Sequence, residues 1–322
     1  MGQVVNLRRV VNPPLGRLAK PPQDAILPYK PEWVSGEPWP SGAKHESDAR
    51  FSRDRGAIVN IVIKFGGSLL DAADSRNRLA AEIAALGSGM QTVVVHGGGK
   101  QMTGFLAERG IESQFVNGLR VTTPEILDAV LKVFAGTVNH QLVAAFIASG
   151  VSAVGLSGMD ALLAEAEQLS PELGLVGRPV RSNPALLRLL TENGYLPVVA
   201  CVAGDRQGNF YNVNADQMAV VCAGALEAKK LFFLTDVQGV KDGEGKVMPH
   251  LTTAGAQALI ESGVASGGMR AKLEAALAAL RQGVAEVAIA SGAEPGIIAR
   301  LLQGESAGTR LIPDSVEVPV HG

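Results

Sequence analysis

A chain of 322 residues, 47% hydrophobic and 19% charged, has the size and balance of a soluble globular enzyme with one large domain or two smaller ones. Its net charge of -2 argues against a nucleic-acid binder, whose surface needs an excess of cations to neutralise phosphates. Cys201 and Cys222 stand in no metal-ligand spacing, no apolar stretch reaches the roughly 18 residues of a membrane span, and no apolar core follows Arg8-Arg9 as a secretory signal would require, so a cytoplasmic protein with two buried thiols is expected.

Residues 1 to about 55 differ from the rest. Eight of the 17 prolines lie within residues 1–40, together with Trp33 and Trp39. Proline at this density removes backbone donors and prevents helix formation, so the segment reads as an extended tail. It is either a solvated extension or an arm that docks its tryptophans on a neighbouring subunit, and terminal segments favour the first.

From Ala57 onward short β-branched runs alternate with helical periodicity. Ile58–Lys64, Thr92–His96, Val151–Ser157, Leu196–Val202, Leu231–Thr235 and Glu286–Ala290 read as buried strands. Ile126, Val130, Val133 and Phe134 follow Pro124 at helical spacing, and Met269, Leu273, Leu277 and Leu280 share one face of a helix running to about Gly283. The alternation predicts an α/β fold, a three-layer αβα sandwich with a mainly parallel central sheet. Ligands of such sheets bind beyond the carboxyl ends of the strands, where Lys64, His96 and Thr235 fall.

The motifs at those ends follow in chain order. Lys64-Phe65-Gly66-Gly67-Ser68 ends the first strand with a lysine that needs a partner, then two glycines whose amides can face an anion. His96-Gly97-Gly98-Gly99 precedes a helix through Met102, Phe105 and Leu106, and three glycines before a helix N-terminus form an anion cradle. His96 has no nucleophile or metal partner nearby and reads as a hydrogen-bonded structural residue. In Asn117-Gly118-Leu119-Arg120-Val121-Thr122, Arg120 can clamp a carboxylate bidentately or lie as a surface arginine. Asn212-Val213-Asn214-Ala215-Asp216 precedes a helix through Met218 and Cys222. Alternation points Asn212 and Asn214 the same way, and Asp216 either stabilises the helix dipole or holds two lysines. Thr235-Asp236-Val237 with Gly239-Val240 reads as a nucleotide contact or a simple turn. Lys272, early in the helix opened by Ser266-Gly267-Gly268-Met269, opposes the helix dipole, which suggests a compensating anion. No G-x4-G-K-[ST] or G-x-G-x-x-G occurs.

In this order the motifs of residues 58 to 312 resemble the amino-acid kinase family. The resemblance implies ATP with Mg2+ as cofactor, no metal held by the protein itself, and phosphorylation of the side-chain carboxylate of N-acetyl-L-glutamate in arginine biosynthesis. It implies that Gly98 and Gly99 hold the acyl amino acid and that Arg120 and Asn212 grip its α-carboxylate. Lys64 and Lys272 become transition-state stabilisers organised by Asp216, and Gly66, Gly67, Thr235, Asp236, Val237, Gly239, Val240 and Gly268 line the nucleotide. It further implies an N-lobe over residues 56–200 for acyl-amino-acid binding and dimerisation, a C-lobe over 201–312 for the nucleotide, and a tail over 313–322. The Pro-rich start lacks the amphipathic helix of arginine-inhibited members, so a homodimer is expected, with a higher oligomer open. Gly158-Met159-Asp160-Ala161 departs from the Gly-Lys-Asp-Gly expected in many members. The chemistry agrees with the resemblance: an ionised carboxylate needs no general base to attack a phosphoryl group. Two alternatives stay open. One is a kinase for an amino acid on an acidic carrier protein, docked through Arg50, Arg53 and Arg55; the other is a non-catalytic ligand sensor.

Overall fold

The computed structural model describes residues 59–87 and 89–314. The Pro-rich segment, its tryptophans, the three arginines at 50, 53 and 55, and most of the expected tail over 313–322 lie outside the described residues.

The strands are β1 (Val59–Phe65), β2 (Met90–His96), β3 (Phe115–Val116), β4 (Leu119–Arg120), β5 (Ala153–Ser157), β6 (Ala164–Gln168), β7 (Val176–Ser182), β8 (Leu196–Ala200), β9 (Val202–Gly204), β10 (Phe210–Val213), β11 (Lys230–Thr235), β12 (His250–Thr252), β13 (Glu286–Ser291) and β14 (Thr309–Ile312). The helices are α1 (Ala73–Ala84), α2 (Gly99–Ala107), α3 (Pro124–Val130), α4 (Asn139–Ala148), α5 (Ala185–Glu192), α6 (Ala215–Leu226), α7 (Thr253–Glu261), α8 (Gly267–Arg281) and α9 (Ile297–Gln303), with a π-helix over Leu131–Val138 joining α3 to α4.

Eight strands form one sheet in the order β12-β14-β13-β11-β1-β2-β8-β5, parallel except where β14 runs against β13. Its central strands carry side chains such as Ile61, Ile63, Val94, Val198, Phe232 and Ile289 that are fully buried, because helices cover both faces. Helices α5, α6 and α8 pack on one face, and α1 and α4 with the π-helix on the other. The three-layer αβα architecture is therefore the one expected. Strands from before residue 200 fill one half of the sheet and strands from after it fill the other, meeting where β1 pairs with β11. At that seam the chain order reverses direction, which leaves a crevice beyond the carboxyl ends of β1 and β11.

Three details differ from expectation. The run Leu196–Val202 is two strands: β8 stays in the main sheet, whereas β9 turns away and pairs with β10. Strands β6, β7, β9 and β10 close into a small barrel that periodicity did not reveal, since segments such as Ala164–Gln168 are short and half polar. The helical run Pro124–Ala148 spans 25 residues and contains an 18-residue window with a mean hydropathy of 1.4, so by length and composition it is apolar enough to cross a membrane. Its apolarity has a packing reason: Ile126, Val130, Val133, Val138, Leu142 and Phe146 are buried in the core, and Asp128 and Lys132 pair on the outer face.

The Gly158–Ala161 segment also gains a physical description. Asp160 accepts from the Ser157 N–H at 2.6 Å and the Ser157 hydroxyl at 2.9 Å, and this turn forces Ala161 to φ 51°. A left-handed conformation costs a side-chain-bearing residue about 1–2 kcal/mol, whereas glycine adds about 0.4–1 kcal/mol of unfolded-state freedom. Ala161→Gly is therefore expected to stabilise the protein by about 0.5–1 kcal/mol, seen as a higher denaturant midpoint at unchanged slope. A lower midpoint would show that the turn is not strained.

Candidate active site

The site is built from strand ends and helix starts. Lys64 sits one residue before the end of β1, in register with Val95 of β2 and Phe233 of β11. Helix α6 begins beside it because Asn214 caps it, its side-chain oxygen accepting from the Asp216 N–H at 2.8 Å and the Gln217 N–H at 3.3 Å. That cap fixes Asp216 in the first turn, turned toward the sheet and 5% exposed. Helix α8 crosses α6 and brings in Lys272 from its second turn.

Asp216 lies between the two lysines. Its Oδ1 is 2.8 Å from the Lys64 ammonium and its Oδ2 accepts from Lys272 at 2.9 Å. The Lys64 contact meets ion-pair distance without hydrogen-bond alignment. Burial raises the Asp216 pKa, but the adjacent lysines outweigh burial and hold it at about 2. Burial lowers the Lys272 pKa, as does the neighbouring Lys64, with Asp216 and Asp236 opposing them. Two cations and one anion leave an excess positive charge at the bottom of a cleft lined also by Gly267, Gly268 and the Asn117–Leu119 turn. The first turn of α8 carries no acidic side chain and Ser266 makes no side-chain cap, so the positive end of that helix adds to the charge of the cleft.

The glycine loops after β1 and β2 approach each other. A Cβ on Gly67 would lie 3.8 Å from the amide nitrogens of Gly99 and Lys100, which places the first loop against the start of α2. Gly66 answers a steric need, because its Cβ would come within 3.0 Å of the Leu234 carbonyl oxygen. Arg120 is buried and its pKa is lowered by that burial. Its donors reach the Ser113 hydroxyl, the Thr103 hydroxyl at 2.8 Å and the Gly99 carbonyl at 3.2 Å, with the Phe115 ring 4.6 Å away. Among the described residues these partners are neutral, so the guanidinium keeps its capacity for an anionic ligand. Asn212 donates to the Thr122 hydroxyl at 3.0 Å, which itself donates to the Arg120 carbonyl at 2.8 Å, so Arg120 and Asn212 belong to one network.

Lys64, Asp216, Lys272 and Gly268 thus share one cleft, with Gly66 and Gly67 leading from β1 toward Gly99. Asn214 lines the cleft too, with its side-chain oxygen committed to capping α6. The Thr235–Val240 stretch does not line that cleft. Thr235 donates to Asp236 at 3.0 Å, and Val237 is partly exposed. Gly239 has no room for a side chain beside Thr309, and the buried Val240 donates its N–H to the Thr309 hydroxyl at 2.8 Å. His96 is fully buried with a pKa lowered by burial to about 4, the Gly97 carbonyl partly opposing, so it is neutral at physiological pH. Both cysteines are free and buried, as expected.

Sequence reasoning missed the residues that hold the site residues. Thr103, Ser113 and Thr122 support Arg120 and Asn212, and Asn139 contacts His96 at 3.0 Å. An asparagine within a largely apolar helical run was a signal available for Asn139.

An α/β sheet with an excess-cationic Lys-Asp-Lys cluster beside two glycine loops at its strand ends defines a phosphoryl-handling enzyme without a P-loop. The amino acid kinase family profile matches residues 60–291, and the chain belongs to that family. The chain is 60% identical to the acetylglutamate kinase of Solibacter usitatus over 79% of its own length and 99% of that protein's. It is 42% identical to the acetylglutamate kinase of Bartonella tribocorum, covering 78% of this chain and 89% of that one. Among solved structures, N-acetylglutamate synthase from Neisseria gonorrhoeae, in complex with coenzyme A and N-acetyl-glutamate, matches with a TM-score of 0.71 at 28% identity. That match covers 80% of this chain, which spans 60% of the synthase's length. An isopentenyl phosphate kinase matches with a TM-score of 0.54 at 25% identity, covering 78% of this chain and 99% of that one.

Proposed function

We propose that this protein transfers the γ-phosphoryl group of ATP to the side-chain carboxylate of N-acetyl-L-glutamate, giving ADP and N-acetyl-L-glutamyl 5-phosphate, a step of arginine biosynthesis. The observation that carries the chemistry is the buried Lys64–Asp216–Lys272 cluster with its excess positive charge. The acceptor follows from the relatives named above and from Arg120, a buried guanidinium suited to the α-carboxylate.

In this reading an oxygen of the ionised side-chain carboxylate forms a bond to the γ-phosphorus as the bond from that phosphorus to the bridging oxygen of ADP breaks. No proton moves, so no general base is needed. Lys64 and Lys272 offset the charge that gathers on the transferring oxygens, and Asp216 keeps both ammonium groups in place. Gly98 and Gly99 hold the acyl amino acid, and Arg120 and Asn212 hold its α-carboxylate. Gly66, Gly67 and Gly268 face the nucleotide phosphates, and the Thr235, Asp236, Val237, Gly239 and Val240 stretch, which lies outside the Lys64–Asp216–Lys272 cleft, would border the rest of the nucleotide. Among the described residues no three His, Cys, Asp or Glu side chains converge. Mg2+ would arrive with the nucleotide phosphates. It would supply further charge neutralisation. The halves 56–200 and 201–312 would bind acyl amino acid and nucleotide respectively, in a cytoplasmic homodimer or higher oligomer.

ADP release with ATP and Mg2+ tests the reading: N-acetyl-L-glutamate should be turned over in strong preference to glutamate, aspartate and N-acetylaspartate. Turnover on none of them would favour the carrier-protein kinase or the sensor. Arg120→Lys should raise the KM for N-acetyl-L-glutamate by about 10- to 100-fold, the loss of a bidentate charged hydrogen bond worth roughly 1.5–3 kcal/mol, while the KM for ATP stays within about twofold. An equal rise for both substrates would remove Arg120 from the acyl-amino-acid site.

A further inference from the structure

The Gly97–Gly99 loop has no side chains to hold its amides in place, yet the proposed acyl-amino-acid site depends on where those amides point. In a planar trans peptide a carbonyl and the following N–H point in opposite directions. Whatever holds the Gly97 carbonyl therefore aims the Gly98 N–H, and whatever holds the Gly98 carbonyl aims the Gly99 N–H. The second is taken by α2, where the Met102 N–H donates to Gly98 at 2.8 Å. The first is taken by His96, whose Nδ1 lies 2.8 Å from the Gly97 oxygen.

His96 can donate there only in one tautomer, and its other nitrogen decides which. Nε2 lies 3.0 Å from Nδ2 of Asn139, which also donates to the Val198 carbonyl of β8 at 2.8 Å. Nδ2 also approaches the Leu156 carbonyl of β5 at 3.4 Å. An amide nitrogen only donates, so Nε2 can only accept from it, and the Gly97 carbonyl can only accept from Nδ1, which therefore carries the proton.

Two further features serve the same contact. Asn139 follows directly on the π-helix Leu131–Val138, whose widened turns change the direction of what comes after it. The same π-helix presses Phe134 and Val138 onto the loop, since a Cβ on Gly98 would meet them at 2.8 and 3.3 Å. Across the sheet edge, a Cβ on Gly155 of β5 would stand 2.1 Å from Asn139 Oδ1, so glycine at that register makes the room.

We propose that Asn139 and His96 are positioning residues, a buried relay from β8 to the Gly97 carbonyl that aims the Gly98 amide at the acyl amino acid. The inference rests on the reading of Gly98 and Gly99 as acyl-amino-acid contacts.

The test compares the full-length protein with Asn139→Leu, which keeps side-chain bulk without the donor, and with Gly155→Ala, which displaces the asparagine from a different strand. In folded variants kcat/KM for N-acetyl-L-glutamate should fall by about 10- to 100-fold, the scale of a small misplacement in a binding site. The loss should fall mainly on the KM for N-acetyl-L-glutamate, with the KM for ATP little changed. A merely structural role would lower the melting temperature and the active fraction but leave that KM unmoved, and an unmoved KM in a folded variant overturns the proposal. Should neither variant fold, 15N NMR of the wild-type protein decides. His96 must be the neutral Nδ1–H tautomer and the Gly98 amide must shift on adding N-acetyl-L-glutamate, whereas the other tautomer or an unmoved amide overturns the proposal. A wild-type protein that fails to turn over N-acetyl-L-glutamate would indict the functional reading instead, and the tautomer measurement would still stand.

Discussion

Asp216→Asn should lower turnover by about three orders of magnitude, the scale of losing a preorganised charge at a reacting centre. The carboxylate makes both ion pairs of the cluster, at 2.8 and 2.9 Å, and is itself almost fully buried. Removing its charge leaves two ammonium groups repelling each other in a poorly solvated cleft, which destabilises the fold by about 3–5 kcal/mol. Nucleotide phosphates would supply the missing negative charge, so ATP should raise the melting temperature of the variant more than that of the wild type. Thermal scans with and without ATP, beside steady-state rates, check both halves. A variant as stable and as active as wild type would mean that the cluster does not hold the lysines.

The same cluster predicts an acid response. The folded pKa of Asp216, about 2, lies below its ordinary value. Stability from this group is therefore present above the ordinary carboxylate range near pH 4 and is lost as pH falls toward 2. In Asp216→Asn that component of the acid transition should be missing.

The second large effect belongs to the lysines. Lys64→Ala and Lys272→Ala should each lower turnover by roughly two to three orders of magnitude, as for loss of one charge-stabilising donor. Unlike Asp216→Asn, each leaves Asp216 with one partner, so both variants should fold with a smaller loss of stability. Rates measured at saturating ATP and N-acetyl-L-glutamate separate this from weakened binding. Near-wild-type turnover in either variant removes that residue from the mechanism.

The two lysines of the cluster were legible because each violated a local preference. Lys64 ends a buried strand, and Lys272 sits where the dipole of α8 opposes it; both placements are costly unless a charge compensates. The parallel sheet was legible because strands covered on both faces become continuous apolar runs, as in Val93–Val95 and Leu231–Leu234. The small barrel of β6, β7, β9 and β10 was not, since its strands are short and Val202–Gly204 continues an apolar run that belongs to two sheets. The capping role of Asn214 was hidden as well. Alternation gives Asn212 and Asn214 the same side, whereas the start of α6 turns Asn214 into a cap. Thr122 and Asn139 act through partners 90 and 43 residues away in sequence, and no local pattern announces such pairs.

The most direct measurement is hydroxylamine trapping of the product formed by the purified protein with ATP, Mg2+ and N-acetyl-L-glutamate. An acyl phosphate at the side-chain carboxylate should be captured as the hydroxamate, in amounts matching the ADP released. ADP without hydroxamate would contradict phosphoryl transfer to the carboxylate, and neither product would contradict the kinase activity itself.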